Sequence, residues 1–278
     1  MRPLVACSLF FVSACASIAG LDDPRDEEPL AADGGADSSN PPPSKQEGGA
    51  DSGVDVSVDA PKDTGGNPPS CDANGLVARW MFDEGAGSTA HDCTKGKHDG
   101  TITGAKWATG KFGGALEFVD DMVDVGNPPE LQLTGAMTLS AWIYIAAGST
   151  ASGRIISKSS QADRGWEINI EGGTLLEFKI AIDMPSYAEV TSAITTGAWH
   201  HVVGTYQPSA TTMRLYIDGV EVGSKLDAPT VGRDTSFNVL LGAMPNETAD
   251  RFDGRLDDIR VYSRALSAAE VQTVMNGN

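Results

Sequence analysis

The chain has 278 residues, room for one large all-β domain or two small ones. Its formal net charge is −18, and no Lys/Arg-rich stripe interrupts that excess of acid. A nucleic-acid partner is excluded on this balance, because the chain repels phosphate, and no phosphate-cradling glycine loop is present.

The first stretch, "MRPLVACSLFFVSAC", has the form of an export signal. Arg2 supplies the positive end and "LFFVSA" the apolar run. Val12-Ser13-Ala14-Cys15 resembles a bacterial lipobox. That resemblance implies a signal peptide over 1–14 and a diacylglycerol on Cys15. The alternative is a plain secretion signal with an incidental cysteine. No other apolar run approaches the roughly 20 residues that span a bilayer. The expectation is therefore an exported lipoprotein held at the bacterial cell envelope, at the outer membrane or cell surface, by its lipid alone. If Cys15 is incidental, the chain is secreted.

Residues 15–70 follow as a Gly/Pro/Ser/Asp-rich segment. It buries too little apolar surface to offset its ordering entropy. From residue 16 on it carries twelve acids against three bases. "GGAD" occurs at 34–37 and 48–51, which is low complexity and not a structural repeat. It reads as an acidic tether.

The domain runs over 71–278, with 26 acids, 16 bases, all five Trp and all four His. Cys71 and Cys93 are an even pair in an exported domain, so a disulfide is expected, with two free thiols as the alternative. Strand signals then follow one another between turn residues. They are "GLVARWMF", "GALEFV", "MTLSAWIYI", "GRIISKS", "GWEINIE", "LLEFKIAI", "AEVTSA", "WHHVVGTY", "MRLYI", "VEVGSKL", "FNVLLG" and "RLDDIRVYS". Gly172-Gly173 and Asp218-Gly219 are two-residue hairpin turns. A dozen strands at this spacing predict a two-sheet sandwich. One short helix closes the chain: Ser267-Ala268-Ala269-Glu270 is a capping box, and Asn276-Gly277 ends the run.

"LVARWMFDEGAGSTAHD", "GAKWATGKFGGALEFV", "MVDVG", "LSAWIYI", "WHHVVGTY", "LYIDGVEV" and "FDGRLDDIRVYSRALSAAEV" occur in this order. Together they resemble the laminin-G-like, concanavalin-A-like jelly roll, from about Leu76 to Met275. The resemblance implies an all-β fold of two antiparallel sheets with a short helix near the end. It also implies binding or adhesion more often than catalysis, with a glycan or an envelope or extracellular protein as partner.

The resemblance further implies one structural calcium ion. Asp257 in "LDDIRVY" matches the expected aspartate, with Asp83, Glu84 and the Gly114 carbonyl as companions. Calcium takes six to eight hard oxygens, carbonyls included. The competing reading gives these residues ordinary turn hydrogen bonds. The histidines show no zinc spacing, and the position of His201 is structural in the family. Trp80, Trp107, Trp142 and Trp199 fall on family motif positions and are expected in the core. Trp166 and Tyr187 are the candidate sugar-stacking aromatics.

One strand invites an enzymatic reading. In "RGWEINIEGG", Glu167, Asn169 and Glu171 share one face and Trp166, Ile168 and Ile170 the other. Laminarinases and lichenases of this jelly roll place E-x-D-x-E on one strand, where paired carboxylates cleave a glycosidic bond. Asn169 stands at the Asp, and two glycines turn the chain where that motif continues. The expectation is that this acidic face is solvent-facing and that the chain is not an enzyme. A glycoside hydrolase or lyase is the alternative function, and a structural envelope protein without a specific ligand is another.

Overall fold

Period-two alternation in the domain resolves into sixteen strands among the described residues of the computed structural model. Those residues are 70–159, 165–183, 186–231, 236–245 and 250–278, all within the unit Pro61–Asn278. Cys15, the segment 1–14 and the tether up to residue 69 lie outside them. In chain order the strands are β1 (Leu76–Trp80), β2 (Thr89–Ala90), β3 (Gly100–Thr103), β4 (Lys106–Thr109), β5 (Gly114–Val119) and β6 (Met122–Gly126). Then come β7 (Met137–Ile145), β8 (Gly153–Lys158), β9 (Gly165–Glu171), β10 (Leu175–Asp183) and β11 (Ser186–Ala193). The last are β12 (Trp199–Gln207), β13 (Thr212–Ile217), β14 (Val220–Lys225), β15 (Val239–Leu241) and β16 (Asp253–Tyr262), followed by helix α1 (Ala268–Met275).

They form two antiparallel sheets, the expected jelly-roll sandwich. The first has the order β14-β13-β12-β7-β16-β5-β4, with β1 added beside β16. The second has the order β11-β10-β9-β8-β15-β6-β3-β2. Alternate residues of each strand fill the space between them. Leu139, Ala141 and Ile143 of β7 meet Ile168 and Ile170 of β9 and Phe178 of β10 in one core. The strands absent from the expected dozen, β2, β3, β4 and β6, have only two to five residues and too few alternations to register as a period.

The hairpins follow the sequence. Gly172 and Gly173 both have positive φ (55° and 74°), as do Asp218 and Gly219 (50° and 76°), which the tight turns require. In α1, Ser267 and Glu270 form the reciprocal capping box. The helix packs Val271 and Val274 against Val203, Tyr216 and Tyr262 on the outer face of the first sheet. Cys71 and Cys93 are joined as a disulfide. Closing this loop stabilises by roughly 3 kcal/mol on the loop-entropy model.

β16 pairs with β7 along one edge and is shared between two partners on the other. Its first half pairs with β5 and its second half with β1, with a bulge between Asp257 and Arg260. At that bulge Asp258 takes a left-handed φ of 44°, a conformation Asp tolerates better than most residues. Its carboxylate is turned between two guanidinium groups. Arg79 Nε donates to Oδ1 at 2.7 Å and Arg260 Nη2 to Oδ2 at 2.7 Å. All three side chains are buried. Arg79 Nη1 also donates to the Ser70 carbonyl, and Arg260 Nη1 to the Asn278 carbonyl. This triad ties both ends of the domain to one strand.

Candidate functional site

The strand parity expected for β9 holds, but its exposure does not. Trp166, Ile168 and Ile170 enter the core. Glu167 and Asn169 point the other way, yet they are 4% and 0% exposed and do not face solvent. Neighbouring strands explain this. Arg154 of β8 lies opposite Asn169, and Glu177 of β10 lies opposite it on the other side. Arg154 Nε is 3.6 Å from Glu167 Oε1, and its Nη1 reaches Glu171 Oε1 at 3.5 Å. Ser159 Oγ donates to Glu167 Oε2 at 2.9 Å. Asn169 Nδ2 donates to Glu177 Oε2 at 2.9 Å, which also receives Lys179 Nζ at 2.7 Å. Each of the three glutamates is held by a cation or a hydrogen-bond donor, and Glu167 and Glu177 are nearly closed from water. An acid and a nucleophile flanking a sugar bond need access from solvent. Glu167 does not have it, and Glu171, 38% exposed, is held at 3.5 Å from Arg154. Arg154, Glu177 and Lys179 lie on the neighbouring strands β8 and β10, 15, 8 and 10 residues from Asn169, so the period of β9 alone did not reveal them.

Trp166 is 1% exposed and packs in the core, which removes it as a stacking platform. The alternation that makes Ile168 and Ile170 inward-facing makes Trp166 inward-facing too. Tyr187, on edge strand β11, is 49% exposed and accessible. Trp80 is fully buried in the core. Trp199 departs from the expected core position: it stands half-buried on the outer face of the first sheet, 5.8 Å from the Tyr144 ring. In "WHHVVGTY" it shares its face with His201, while Val202 and Tyr206 enter the core, so parity placed it outside. Trp142 is buried on that same outer face, with Phe112 edge-on and Lys111 Nζ 4.5 Å above its ring. His201 is buried, with Nε2 2.8 Å from Ser140 Oγ. Burial, and next the Arg260 charge, push its pKa down to about 4, so the ring is neutral.

The residues expected to hold calcium divide into two groups. Asp257 is 1% exposed. Its Oδ2 accepts from the Phe112 N–H at 2.8 Å, while its Oδ1 is buried without a hydrogen bond. Burial pushes its carboxyl up to about 8, partly offset by the Phe112 hydrogen bond, with the Asp258 and Asp83 charges adding to the rise. Asp83 Oδ1 accepts from Gly114 N–H at 2.7 Å. A Cβ at Gly110 would collide with both the Gly114 carbonyl and the Asp257 carboxylate, so those oxygens converge on one small space. Asp257, Asp83 and the Gly114 carbonyl are hard oxygen donors of the kind calcium takes. Glu84 Oε1 accepts from the His91 N–H, its Oε2 is buried without a hydrogen bond, and with Asp83, Met81, His91 and Cys93 it lines a hollow of about 290 Å³. Among the described residues no group of three or more His, Cys, Asp or Glu is placed to hold a metal ion.

A family model described as the concanavalin A-like lectin/glucanases superfamily matches residues 117–272. A curated relative, Paraclostridial mosquitocidal protein 1 of Paraclostridium bifermentans, is 27% identical over 124 residues, 41% of this chain and 10% of that protein. The solved binding domain of Paraclostridial Mosquitocidal Protein 1 superposes with a TM-score of 0.61 at 16% identity. That match covers 73% of this chain and 52% of that one. The binding domain of Botulinum Neurotoxin DC in complex with SialylT gives a TM-score of 0.54 at 13% identity, over 73% of this chain and 51% of that one. The chain therefore spans about half the length of these solved structures and a tenth of the curated relative.

Proposed function

The chain belongs to the concanavalin A-like lectin/glucanases superfamily, and we propose that it is a non-catalytic module that binds glycan or an extracellular protein at the bacterial cell envelope. The observation that carries this reading is the state of the β9 face. Of the two carboxylates that an enzyme of this fold would use, Glu167 accepts from Ser159, faces Arg154 and is 4% exposed, and Glu171, 38% exposed, is held by the same Arg154 and by Asn169. Likeness in fold to toxin binding domains, one of them solved with SialylT, supports binding over chemistry.

In the same proposal, cleavage after Ala14 and lipid on Cys15 anchor the module, and residues 15–70 hold it away from the membrane. One preparation tests both parts. The Cys15→Ser chain leaves the membrane fraction and, once purified, is retained by a glycan on an array or by a protein in a pull-down. Continued membrane association counts against the anchor, and two blank binding assays count against the module.

A calcium ion held by Asp257, Asp83 and the Gly114 carbonyl completes the reading. Calcium would supply the positive charge that the buried Asp257 carboxylate lacks. Millimolar calcium then raises the melting temperature and EDTA reverses the rise, while Asp257→Asn shows no response. A melting temperature indifferent to calcium contradicts the site.

A further inference from the structure

We infer that the open half of the first sheet's outer face is a binding platform for neutral hexopyranose chains, an assignment that rests on the binding-module reading above. Strand register pairs Lys106 with Glu117, Glu117 with Arg255, Arg255 with Tyr144 and Tyr144 with Trp199. Five side chains from β4, β5, β16, β7 and β12 thus stand in one row across the strands. At the usual strand spacing the row is about 19 Å long. The other half of this face is covered by α1 and its apolar contacts. In the row, by contrast, the Glu117 and Arg255 side chains are 41% and 36% exposed.

The chemistry of the row suits a sugar. Tyr144 and Trp199 form a tilted aromatic pair, and the Arg255 guanidinium lies 5.7 Å over the Tyr144 ring. Aromatic faces take the C–H face of a pyranose, and polar tips take its hydroxyls. The Tyr144 hydroxyl and the Trp199 indole N–H have no hydrogen-bond partner among the described residues. Arg255 uses only Nε, on Glu117 Oε1 at 3.0 Å, which leaves its terminal nitrogens and Glu117 Oε2 available. Cross-strand packing accounts for the pairing of these residues, and their unpaired polar tips face water, which the hydroxyls of a sugar can replace. The row itself carries two cations, Lys106 and Arg255, against one carboxylate, Glu117; a neutral sugar is selected over an anionic one by the surrounding domain, which has 26 acids against 16 bases.

The test uses the full chain with laminarin and cellohexaose as neutral probes and sialyllactose as the anionic comparison. Wild type is expected to bind a neutral probe, with Trp199→Ala weakening it about tenfold, a loss of about 1.4 kcal/mol. Arg255→Gln, at an exposed side chain, should weaken binding with an unchanged melting temperature, which keeps the test valid if Trp199→Ala does not fold. Leu226→Ala, at an exposed side chain outside the row, should bind as wild type. Neutral-probe binding that survives both Trp199→Ala and Arg255→Gln overturns the platform and leaves the module reading intact. Binding to sialyllactose alone overturns the neutral class. Binding to none of the probes overturns the platform, whereas the module reading falls only if array and pull-down are both blank.

Discussion

Asp258→Asn destabilises the domain by about 3–5 kcal/mol, because it leaves two buried guanidinium groups without their counter-ion. Arg79, Asp258 and Arg260 are each no more than 3% exposed, so water cannot take over the lost contacts. Burial alone would push the Asp258 carboxyl up. The Arg260 and Arg79 charges, and the hydrogen bonds that both donate, hold it below the ordinary carboxylate range instead. Asn keeps the shape and tolerates the left-handed φ at this bulge, so the loss reports the charge and not backbone strain. Urea unfolding of wild type and variant measures it. Because the three side chains act as a unit, Asp258→Asn with Arg79→Met should cost less than the sum of the two single changes. A loss under about 1 kcal/mol, or simple additivity, would contradict the role given to the triad.

The second large effect is a dependence on acid that His201 imposes. Burial lowers its folded pKa from 6.5 to about 4. Below pH 6.5 the unfolded chain therefore takes up a proton that the folded domain refuses. Stability from this residue is fully present above pH 6.5 and falls by about 3 kcal/mol on reaching pH 4. Asp257 runs the other way. With its carboxyl pushed up to about 8 in the calcium-free domain, the fold keeps a proton that the unfolded chain has lost, so in calcium-free buffer its contribution grows as pH falls from 8 toward 3.8. The two oppose one another between pH 4 and 6.5 and flatten the raw curve. The informative quantity is the difference between wild type and His201→Gln, which removes only the histidine. Wild type should lose about 3 kcal/mol relative to the variant across that interval. Parallel curves would show that His201 takes up its proton in the fold as readily as in the unfolded chain, and would contradict the effect of its burial.

Much of the architecture was legible because burial on one side of a sheet imposes a period of two. The "MTLSAWIYI", "GWEINIE" and "GALEFV" segments became β7, β9 and β5 with the same bounds. The helix start was equally plain, since Ser267 and Glu270 form a local pair. What was lost was everything that depends on register between distant strands. Parity told that Glu167 and Asn169 leave the core, but not that Arg154 and Glu177 close over them. Trp199 was assigned to the core by its motif, although the alternation of its own strand turned it outward. The row from Lys106 to Trp199 draws on five strands spread over 150 residues, and no local pattern announces it. The Arg79–Asp258–Arg260 triad was hidden for the same reason, together with a bulge that reverses the facing of Asp258.

Binding without cleavage is measured most directly by incubating the purified chain with a panel of β-glucans and reading retention and new reducing ends in the same samples. A module with its β9 carboxylates locked is expected to retain a glycan or a protein partner and to release no reducing sugar. Reducing ends that accumulate with wild type, and vanish with both Glu167→Gln and Glu171→Gln, would make this chain a glycosidase.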